Sequence, residues 1–286
     1  MSLTLERAGY TYLSGTPFET DALHGVSLTI RDGEYLGIMG RTGCGKSTMI
    51  QLLSGLLAPT EGRVLLDGAD INAPGYEKAI LRRSVGVVFQ YPESQLFEST
   101  VEKDVAFGLS SGGLSRTETA ERVTWALRTV GLDPESMGEQ SPLTLSGGQK
   151  RLVAIAGVLA AKPRILIFDE PIAGLDPLGR ESFLALTDRL CAQGVTIVLV
   201  SHNADCLAEH AARILVLQGG QIALEGTPEQ VFAQVDRMDD LGIGVSQPRR
   251  IAAMLQAAGV PLPDQTVRYG ELLEGLKRYR KGGMHP

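Results

Sequence analysis

A chain of 286 residues with 43% hydrophobic content is long enough for one large domain with an appendage, or for two modest domains, and can bury a sizeable core. Its 27 basic and 33 acidic residues give a net charge of −6, which provides no positive field for nucleic acid and disfavours nucleic-acid binding as a function. The three cysteines, Cys44, Cys191 and Cys206, lie in no metal-ligand spacing, so we expect a reducing compartment and no disulfide framework.

Two segments bear on the membrane. The longest uninterrupted apolar run, residues 152–161, is about ten residues long, against roughly 20 for a bilayer-spanning helix. The first residues show no basic start followed by an apolar segment, so they do not fit a secretory signal. We therefore expect no transmembrane helix and a protein that stays in the cytoplasm.

The amino-terminal part predicts strands. Short apolar stretches separated by glycine and proline run through residues 3–30, which is typical of strands joined by turns. Residues 62–66 form a further apolar strand closed by an Asp-Gly turn, and residues 85–89 form a buried strand that ends before Gln90. These pieces indicate a small antiparallel sheet beside a nucleotide-binding core.

A phosphate-binding loop follows the first strands in the sequence. Residues 40–48 fit the pattern G-x-x-x-x-G-K-[ST], with an apolar run before them and an apolar-periodic segment after Lys46, so the loop joins a strand to a helix. Its glycines let backbone N–H groups converge on anionic oxygens, and the helix dipole adds to the attraction. Lys46 then reaches the β and γ phosphates, and Ser47 places its hydroxyl on Mg²⁺. The residues assigned to nucleotide binding here are Gly40, Arg41, Thr42, Gly43, Cys44, Gly45, Lys46, Ser47 and Thr48.

The following part of the chain reads as helical. Between about residues 99 and 161, Ser99 with Glu102 and Ser115 with Glu118 both fit the capping box that begins a helix. A further helix, predicted after Gly148, shows an apolar stripe of helical period.

Two carboxylates then end a buried strand. The run that follows Arg164 is apolar through residues 165–168 and ends in Asp169 and Glu170, and residues 195–200 deliver His202 to the same edge of the sheet. Asp169 is placed to coordinate Mg²⁺, which prefers hard oxygen ligands. Glu170 is placed to accept a proton from the water that attacks the γ phosphate, a general-base role.

Beyond Pro228 the pattern loosens into two amphipathic helices, near residues 246–258 and 272–276. Basic residues near the second helix allow a DNA-reading helix-turn-helix. However, Glu271 and Glu274 interrupt the charge, so we favour a packing or dimerisation appendage.

Residues 145–149, Leu-Ser-Gly-Gly-Gln, resemble the signature of the ATP-binding cassette ATPases, and their position between the phosphate loop and Asp169-Glu170 agrees with that family. A serine and two glycines at a helix N-terminus also make chemical sense as a second phosphate cradle. In the family this cradle acts in trans, so the resemblance implies a dimer, either a homodimer or a heterodimer with a paralogue. The residues it assigns to the partner's nucleotide are Ser146, Gly147, Gly148 and Gln149.

The same resemblance implies roles for single residues. Tyr12 is similar to the aromatic residue that stacks on adenine, and Gln90 to the glutamine that senses Mg²⁺ and the γ phosphate. Asp176 lies in a segment similar to the loop through which two subunits communicate, and His202 resembles the switch histidine at the γ phosphate. The implied cofactors are ATP and Mg²⁺, the catalytic residues Glu170, His202 and Gln90, and the metal ligands Ser47, Gln90 and Asp169.

A narrower resemblance rests on Thr16-Pro17-Phe18-Glu19 and on residues 89–97 and 149–157, which look like the ATPases of energy-coupling factor transporters. The Thr-Pro-Phe-Glu insertion favours the second of that subfamily's two paralogous ATPases. The resemblance implies an α/β fold, a P-loop nucleotide hydrolase core with an antiparallel β subdomain and an α-helical subdomain at about residues 91–161. The cassette domain spans residues 1–228, and residues 229–286 form a small helical appendage for dimerisation.

The function implied is ATP hydrolysis that powers import of a vitamin or a transition-metal ion. The partners implied are a second cassette ATPase, a transmembrane coupling protein and a substrate-binding membrane subunit, with no nucleic acid. The chain then sits peripherally on the cytoplasmic side of the cell membrane, and the groove after Gln90 receives coupling helices whose arginines meet Glu93 or Glu98. The alternatives are a soluble cassette ATPase in cofactor assembly or DNA maintenance, and a non-hydrolysing regulatory binder, which Glu170 and His202 disfavour.

Overall fold

A computed structural model of the chain describes residues 2–110 and 113–282. Its strands are β1 (Ser2–Tyr12), β2 (Thr20–Arg31), β3 (Tyr35–Gly40), β4 (Glu61–Leu66), β5 (Ala69–Asp70), β6 (Val85–Val88), β7 (Ile165–Asp169), β8 (Thr196–Val200), β9 (Arg213–Gln218) and β10 (Gln221–Gly226). Met1, residues 111–112 and residues 283–286, which the predicted domain ranges include, lie outside the described residues.

The helices alternate with the strands. They are α1 (Lys46–Leu53), α2 (Lys78–Ser84), α3 (Val101–Phe107), α4 (Arg116–Thr129), α5 (Pro134–Met137), α6 (Gly147–Ala160), α7 (Pro177–Ala192), α8 (Ala204–His210), α9 (Pro228–Phe232), α10 (Val235–Asp240), α11 (Gln247–Ala257) and α12 (Tyr269–Gly282). Short 3-10 turns at Pro92–Gln95 and Pro142–Thr144 complete the helical elements. The described residues contain no helix long and apolar enough to cross a membrane.

A six-stranded sheet in the order β10-β9-β3-β8-β7-β6 forms the centre. The neighbours from β9 to β6 run parallel, and β10 is antiparallel to β9. Both faces of β3 are covered, because Leu36 and Ile38 pack in the cluster that contains α1 while Tyr35 and Met39 pack in the cluster on the opposite side. Burial on both faces is what a continuous apolar run predicts for a parallel sheet.

The antiparallel sheet predicted from the amino-terminal part is confirmed. It has the order β2-β1-β4-β5, and every neighbouring pair in it is antiparallel. Its apolar residues join the same hydrophobic cluster as α1, so this sheet packs over the helix that follows the phosphate loop. The α/β fold with a P-loop core is therefore confirmed, whereas the boundary of the cassette domain at residue 228 stays a prediction.

One of the two predicted capping boxes is present. Ser115 and Glu118 exchange side-chain-to-backbone hydrogen bonds at the start of α4, as predicted. The prediction that Ser99 caps the preceding helix is wrong, because Thr100 is the N-cap of α3 and accepts from the Lys103 N–H. The Glu102 N–H, which a Ser99 cap would need, instead donates to the Gly138 carbonyl at 3.0 Å, a tertiary contact that the local pattern does not contain.

The two predicted helices beyond residue 228 are α11 and α12, which enclose a small cluster of their own around Ala252, Leu262 and Leu272. They are joined to the core through α8, since Asp205 on α8 accepts from the Gln247 N–H at 2.6 Å. The carboxyl-terminal helices are thus fixed to the helix that follows His202 in the sequence.

Candidate nucleotide-binding site

The phosphate loop lies between β3 and α1 as predicted, and two of its glycines have conformations that other residues do not tolerate. Gly45 has φ +107°, and a Cβ placed on it would lie 2.6 Å from the Ala22 carbonyl oxygen. A Cβ on Gly40 would lie 2.4 Å from the Cys44 sulfur. The loop is therefore packed against its own strands, which fixes the position of its N–H groups.

The Lys46 side chain is hydrogen-bonded to the phosphate loop itself. Its ammonium donates to the carbonyl oxygens of Gly40 at 2.6 Å and Arg41 at 3.0 Å. The ammonium also lies 3.9 Å from the Cys44 sulfur, a weak acceptor that an anionic oxygen above the loop would displace. The Cys44 thiol is buried beneath the same loop, with 7% of the residue exposed.

A cleft of about 580 Å³ opens over this loop. The predicted residues that line it are Tyr12, Thr42, Gly43, Gly45, Lys46, Ser47, Thr48, Gln90, Asp169, Glu170 and His202. The sequence analysis missed Ala173 in the loop after Glu170, and it missed Thr20, Asp21 and Ala22, which also line the cleft. Pairing of β1 with β2 brings them there, with Thr20 opposite Tyr12, so the hairpin register was the signal that could have identified them.

Tyr12 stands at the wall of the cleft. Its hydroxyl lies 3.2 Å from Thr48 Oγ1 and donates to Gln51 Oε1 at 3.3 Å, so both contacts fix it to α1. Its ring meets that of Tyr10 edge-on at 4.7 Å. These contacts hold an aromatic ring beside the phosphate loop, and stacking on adenine stays a prediction.

The carboxylates lie at the end of β7. Burial, reinforced by the charge of Glu170 and partly offset by Lys46, raises the pKa of Asp169 above its usual value. A bound cation beside Asp169 would therefore favour its ionised form. Ser47 and Asp169 offer hard oxygen ligands in one cleft, which fits Mg²⁺ held by few protein groups together with phosphate oxygens.

Glu170 and His202 form a pair across the ends of β7 and β8. His202 Nδ1 lies 2.9 Å from Glu170 Oε2, and an ionised Glu170 accepts this hydrogen bond from a protonated Nδ1. Glu170 has φ +49°, an uncommon conformation for glutamate, and its N–H donates to the Val200 carbonyl. Such backbone strain persists where the surrounding structure fixes a side chain, here a carboxylate facing the cleft.

The signature residues do not reach this cleft. Ser146 accepts from the Gln149 N–H and Gln149 Oε1 accepts from the Ser146 N–H, so they form a capping box at the start of α6. Gly147 and Gly148 are exposed, and a Cβ on either would have no atom of the described residues within 4 Å. The cradle that these residues form thus faces outward.

Known proteins resemble the chain along its whole length. Residues 23–173 match the family model described as ABC transporter. The energy-coupling factor transporter ATP-binding protein EcfA2 of Symbiobacterium thermophilum is 47% identical over 289 residues, covering 100% of both chains. The protein of the same name from Caldanaerobacter subterraneus subsp. tengcongensis is 45% identical over 283 residues, covering 99% of both.

The chain belongs to the ABC transporter family. Its full-length relatives confirm the narrower resemblance to the ATP-binding proteins of energy-coupling factor transporters. As an ABC ATPase, it binds and hydrolyses ATP.

Two solved structures have folds similar to that of this ABC ATPase. CbiO1 from Clostridium perfringens, described as part of the ABC transporter complex CbiONQ, has a TM-score of 0.74 at 36% identity and covers 89% of this chain and 98% of its own. A dimeric ATP-binding cassette in a post-hydrolysis state with ADP and Pi has a TM-score of 0.70 at 33% identity, covering 79% and 98%.

Two further predicted site residues of the ABC ATPase are Asp176 and Gln90. Asp176 is the N-cap of α7, and its Oδ1 accepts from the Gly179 N–H at 2.6 Å. Its contact with a second subunit stays a prediction. Gln90 follows β6 and lines the cleft, and the next residue, Tyr91, has φ +57°, so the chain turns sharply where the helical segment begins.

Arg151 is a buried residue of the ABC ATPase to which sequence analysis gave no role. Its guanidinium bonds both carboxylate oxygens of Glu93 at 3.3 Å, and it donates to the carbonyls of Pro171 and Ala173. One side chain therefore joins the signature helix to the segment after Gln90 and to the loop after Glu170. The sequence signal was an arginine inside an apolar helical stripe. Arginine is rarely buried unless it is paired, so this position indicated a buried partner.

Proposed function

We propose that this chain is the ATP-hydrolysing subunit of an energy-coupling factor importer for a vitamin or a transition-metal ion. The observation that carries the proposal is that Lys46, Asp169, Glu170 and His202 converge on one cleft, while the cradle at residues 146–149 faces away from it. An ATPase arranged in this way completes its site with a second cassette. The full-length relatives named as energy-coupling factor transporter ATP-binding proteins support the transport role.

In the proposed mechanism Lys46 binds the β and γ phosphates, and the phosphate-loop N–H groups hold their oxygens. Ser47, Gln90 and Asp169 would hold Mg²⁺, which would supply positive charge to offset that of the phosphates. Glu170 accepts a proton from water as the water oxygen bonds to the γ phosphorus and the bond to the ADP oxygen breaks. The hydrogen bond from His202 orients the Glu170 carboxylate for that transfer.

The second cassette supplies the outer half of the site. It is a copy of this chain or a paralogue, arranged head to tail, so that Ser146, Gly147 and Gly148 of each subunit contact the γ phosphate held by the other. No atom of the described residues occupies the space before these glycines, which leaves room for close approach by a nucleotide. Residues 229–286 support the dimer as an appendage, and Asp176 contacts the partner.

A transmembrane coupling protein docks on the surface after Gln90. Three aromatic side chains stand exposed there, Tyr91 at 55%, Phe97 at 64% and Phe107 at 54%, and the last two rings meet edge-on at 4.8 Å. Exposed aromatic rings are typical of protein interfaces. Glu93 is already paired with Arg151, whereas Glu98 forms no ion pair within residues 2–110 and 113–282, so Glu98 is the carboxylate that meets a partner arginine.

The membrane partners carry the substrate-binding subunit, and the chain lies peripherally on the cytoplasmic side of the cell membrane. The test is purification of the tagged full chain from detergent-solubilised membranes, with mass spectrometry of the proteins that accompany it. We expect a multi-span membrane protein, and we expect Phe97→Asp to remove it. The control is Leu56→Asp, at a residue that is 62% exposed and lies outside this surface. Recovery of the wild-type chain without any membrane protein would contradict the proposal and favour a soluble cassette ATPase.

A further inference from the structure

A second cavity adjoins the nucleotide cleft on the side of the carboxyl-terminal helices. It has a volume of about 370 Å³. Gly242 and Ile243, in the turn between α10 and α11, form its outer wall, and the phosphate loop forms its inner wall. The residues that line both this cavity, here called the side chamber, and the cleft are Thr42, Lys46, Glu170 and His202. The two spaces therefore meet at the γ-phosphate end of the site.

Arg41 lines the side chamber and is exposed to solvent. A Cβ placed on Gly242 would lie 3.2 Å from Arg41 Cδ and 3.3 Å from Nη1, so the Arg41 side chain lies across the Gly242 backbone. Its guanidinium forms no hydrogen bond or ion pair with any residue that the structure describes. The lining of the side chamber includes two cationic side chains, Arg41 and Lys46, and one carboxylate, Glu170, so its charge is positive overall.

The turn that supports Arg41 is held in place on both sides. The Gly242 N–H donates to the Asp239 carbonyl at 2.8 Å, and the Ile243 N–H donates to the Met238 carbonyl at 3.1 Å. Arg250 bonds both carboxylate oxygens of Asp239, at 2.6 and 2.5 Å, which ties the turn to α11. The appendage therefore supplies a fixed wall to the side chamber.

We propose that the side chamber binds the inorganic phosphate cleaved from ATP, with the Arg41 guanidinium as its main ligand and the Gly242 turn as the positioning wall. The proposal rests on the proposed function, since it takes the γ phosphate to lie between Lys46 and Glu170. Hydrolysis turns that group into a free tetrahedral dianion next to the chamber. A guanidinium fork matches two of its oxygens, and no carboxylate of the described residues pairs with Arg41.

The experiment measures inhibition of Mg-ATP hydrolysis by added inorganic phosphate in the purified full chain. We expect the Ki for phosphate to rise about tenfold in Arg41→Gln, because a charge-assisted contact is lost. Arg41→Lys keeps the charge without the fork, so its Ki lies between the two. Gly242→Val displaces the Arg41 side chain and raises the Ki by a similar factor.

The double variant tests whether Gly242 acts through Arg41. If it does, Gly242→Val changes the Ki by less than about twofold once Arg41 is Gln, because the two effects are not additive. The matched control is Gly244→Ala, which shares the turn and a positive φ, +78° against +67°, but whose nearest atom is Arg250 Nη2 at 3.8 Å. We expect the control to keep the wild-type Ki. If Gly242→Val does not fold, Gly242→Ala makes the same contact with a smaller displacement.

Three outcomes overturn the proposal. The first is an unchanged Ki for phosphate in Arg41→Gln. The second is a Ki in the double variant that rises by the product of the two single effects, because Gly242 then does not act through Arg41. The third is a constant Ki in Arg41→Gln together with loss of ATP-driven dimerisation, which assigns Arg41 to a partner carboxylate. Glu170→Gln separates this failure from failure of the proposed function. If that variant stops hydrolysis while the Arg41 variants keep the wild-type Ki, only the side chamber is excluded.

Discussion

Two glycine-rich segments at helix N-termini in this chain have opposite surroundings. At the phosphate loop, Cβ atoms on Gly40 or Gly45 would come within 2.6 Å of the chain's own atoms. At the signature, Cβ atoms on Gly147 or Gly148 would meet none of the described atoms within 4 Å. The first pair is demanded by the fold itself, and the second pair is required only if something from outside approaches. Under the proposed function, one phosphate cradle is built in the monomer and the other is completed in an assembly.

The strongest test of the contrast is a variant that binds ATP but does not hydrolyse it, so that ATP stays bound to both segments. Glu170→Gln keeps the size of the side chain and removes the base, so we expect turnover to fall by at least about 10²-fold. ATP should then accumulate in a stable dimer. Turnover is measured by phosphate release and dimerisation by analytical ultracentrifugation with Mg-ATP. Glu181→Gln, at an exposed carboxylate on α7, is the control and should behave as wild type. Normal turnover in Glu170→Gln would mean that another group is the base.

A second prediction concerns Arg151, which joins the signature helix to the segment after Gln90 and to the loop after Glu170. Arg151→Met removes the buried partner of Glu93 and two bonds to the loop after Glu170. Breaking a buried pair costs about 3 kcal/mol, less here because the Glu93 side chain is 25% exposed, so we expect a loss of about 2 kcal/mol in the free energy of unfolding. Urea denaturation measures it.

The control for Arg151 is a pair at the surface. Arg63 and Glu6 have side chains that are 61% and 42% exposed, so Arg63→Met should cost less than about 1 kcal/mol. Equal losses of folding free energy in the two variants would show that Arg151 does not stabilise the connection between the signature helix and the segments that it contacts.

Acid should weaken the Arg151–Glu93 pair in the wild type. Burial raises the pKa of Glu93, but the hydrogen bonds from Arg151 and the backbone outweigh it and hold the pKa below its usual value. The stabilisation is therefore present above the usual glutamate pKa and is lost as the pH falls through the lowered one.

The glycines themselves provide the direct test of the contrast. Gly45→Ala forces a side chain into φ +107° and against the Ala22 carbonyl, a strain of about 1 to 3 kcal/mol, and should weaken ATP binding by the monomer. Gly148→Ala has open space and should leave stability within about 0.5 kcal/mol. We expect Gly148→Ala to weaken ATP-driven dimerisation alone. Calorimetric titration and ultracentrifugation separate the two effects. Weaker monomer binding in Gly148→Ala would contradict the contrast.

Sequence patterns predicted the parts of this site that follow from local chemistry. The phosphate loop, the strand before Asp169 and the cap at Ser115 depend on neighbours in sequence, and the structure contains each of them. The role of Arg151 depends on Glu93 and on a loop about 20 residues further along, which no local period reveals. The same holds for Thr100 in place of Ser99, since a carbonyl from Gly138 decides the helix start. Tertiary partners of polar groups are thus what the sequence could not supply.

A last prediction separates the capping role of Ser146 from its role at a nucleotide. Ser146 and Ser115 both begin helices with a complete capping box, so changing either to alanine should cost about 1 kcal/mol of folding free energy. Only Ser146 belongs to the outward-facing cradle, so only Ser146→Ala should also weaken ATP-driven dimerisation, which ultracentrifugation measures. Ser115→Ala is therefore a control matched in chemistry, cap geometry and stability loss. If both variants weaken dimerisation equally, the effect comes from loss of stability, and the signature serine is only a helix cap.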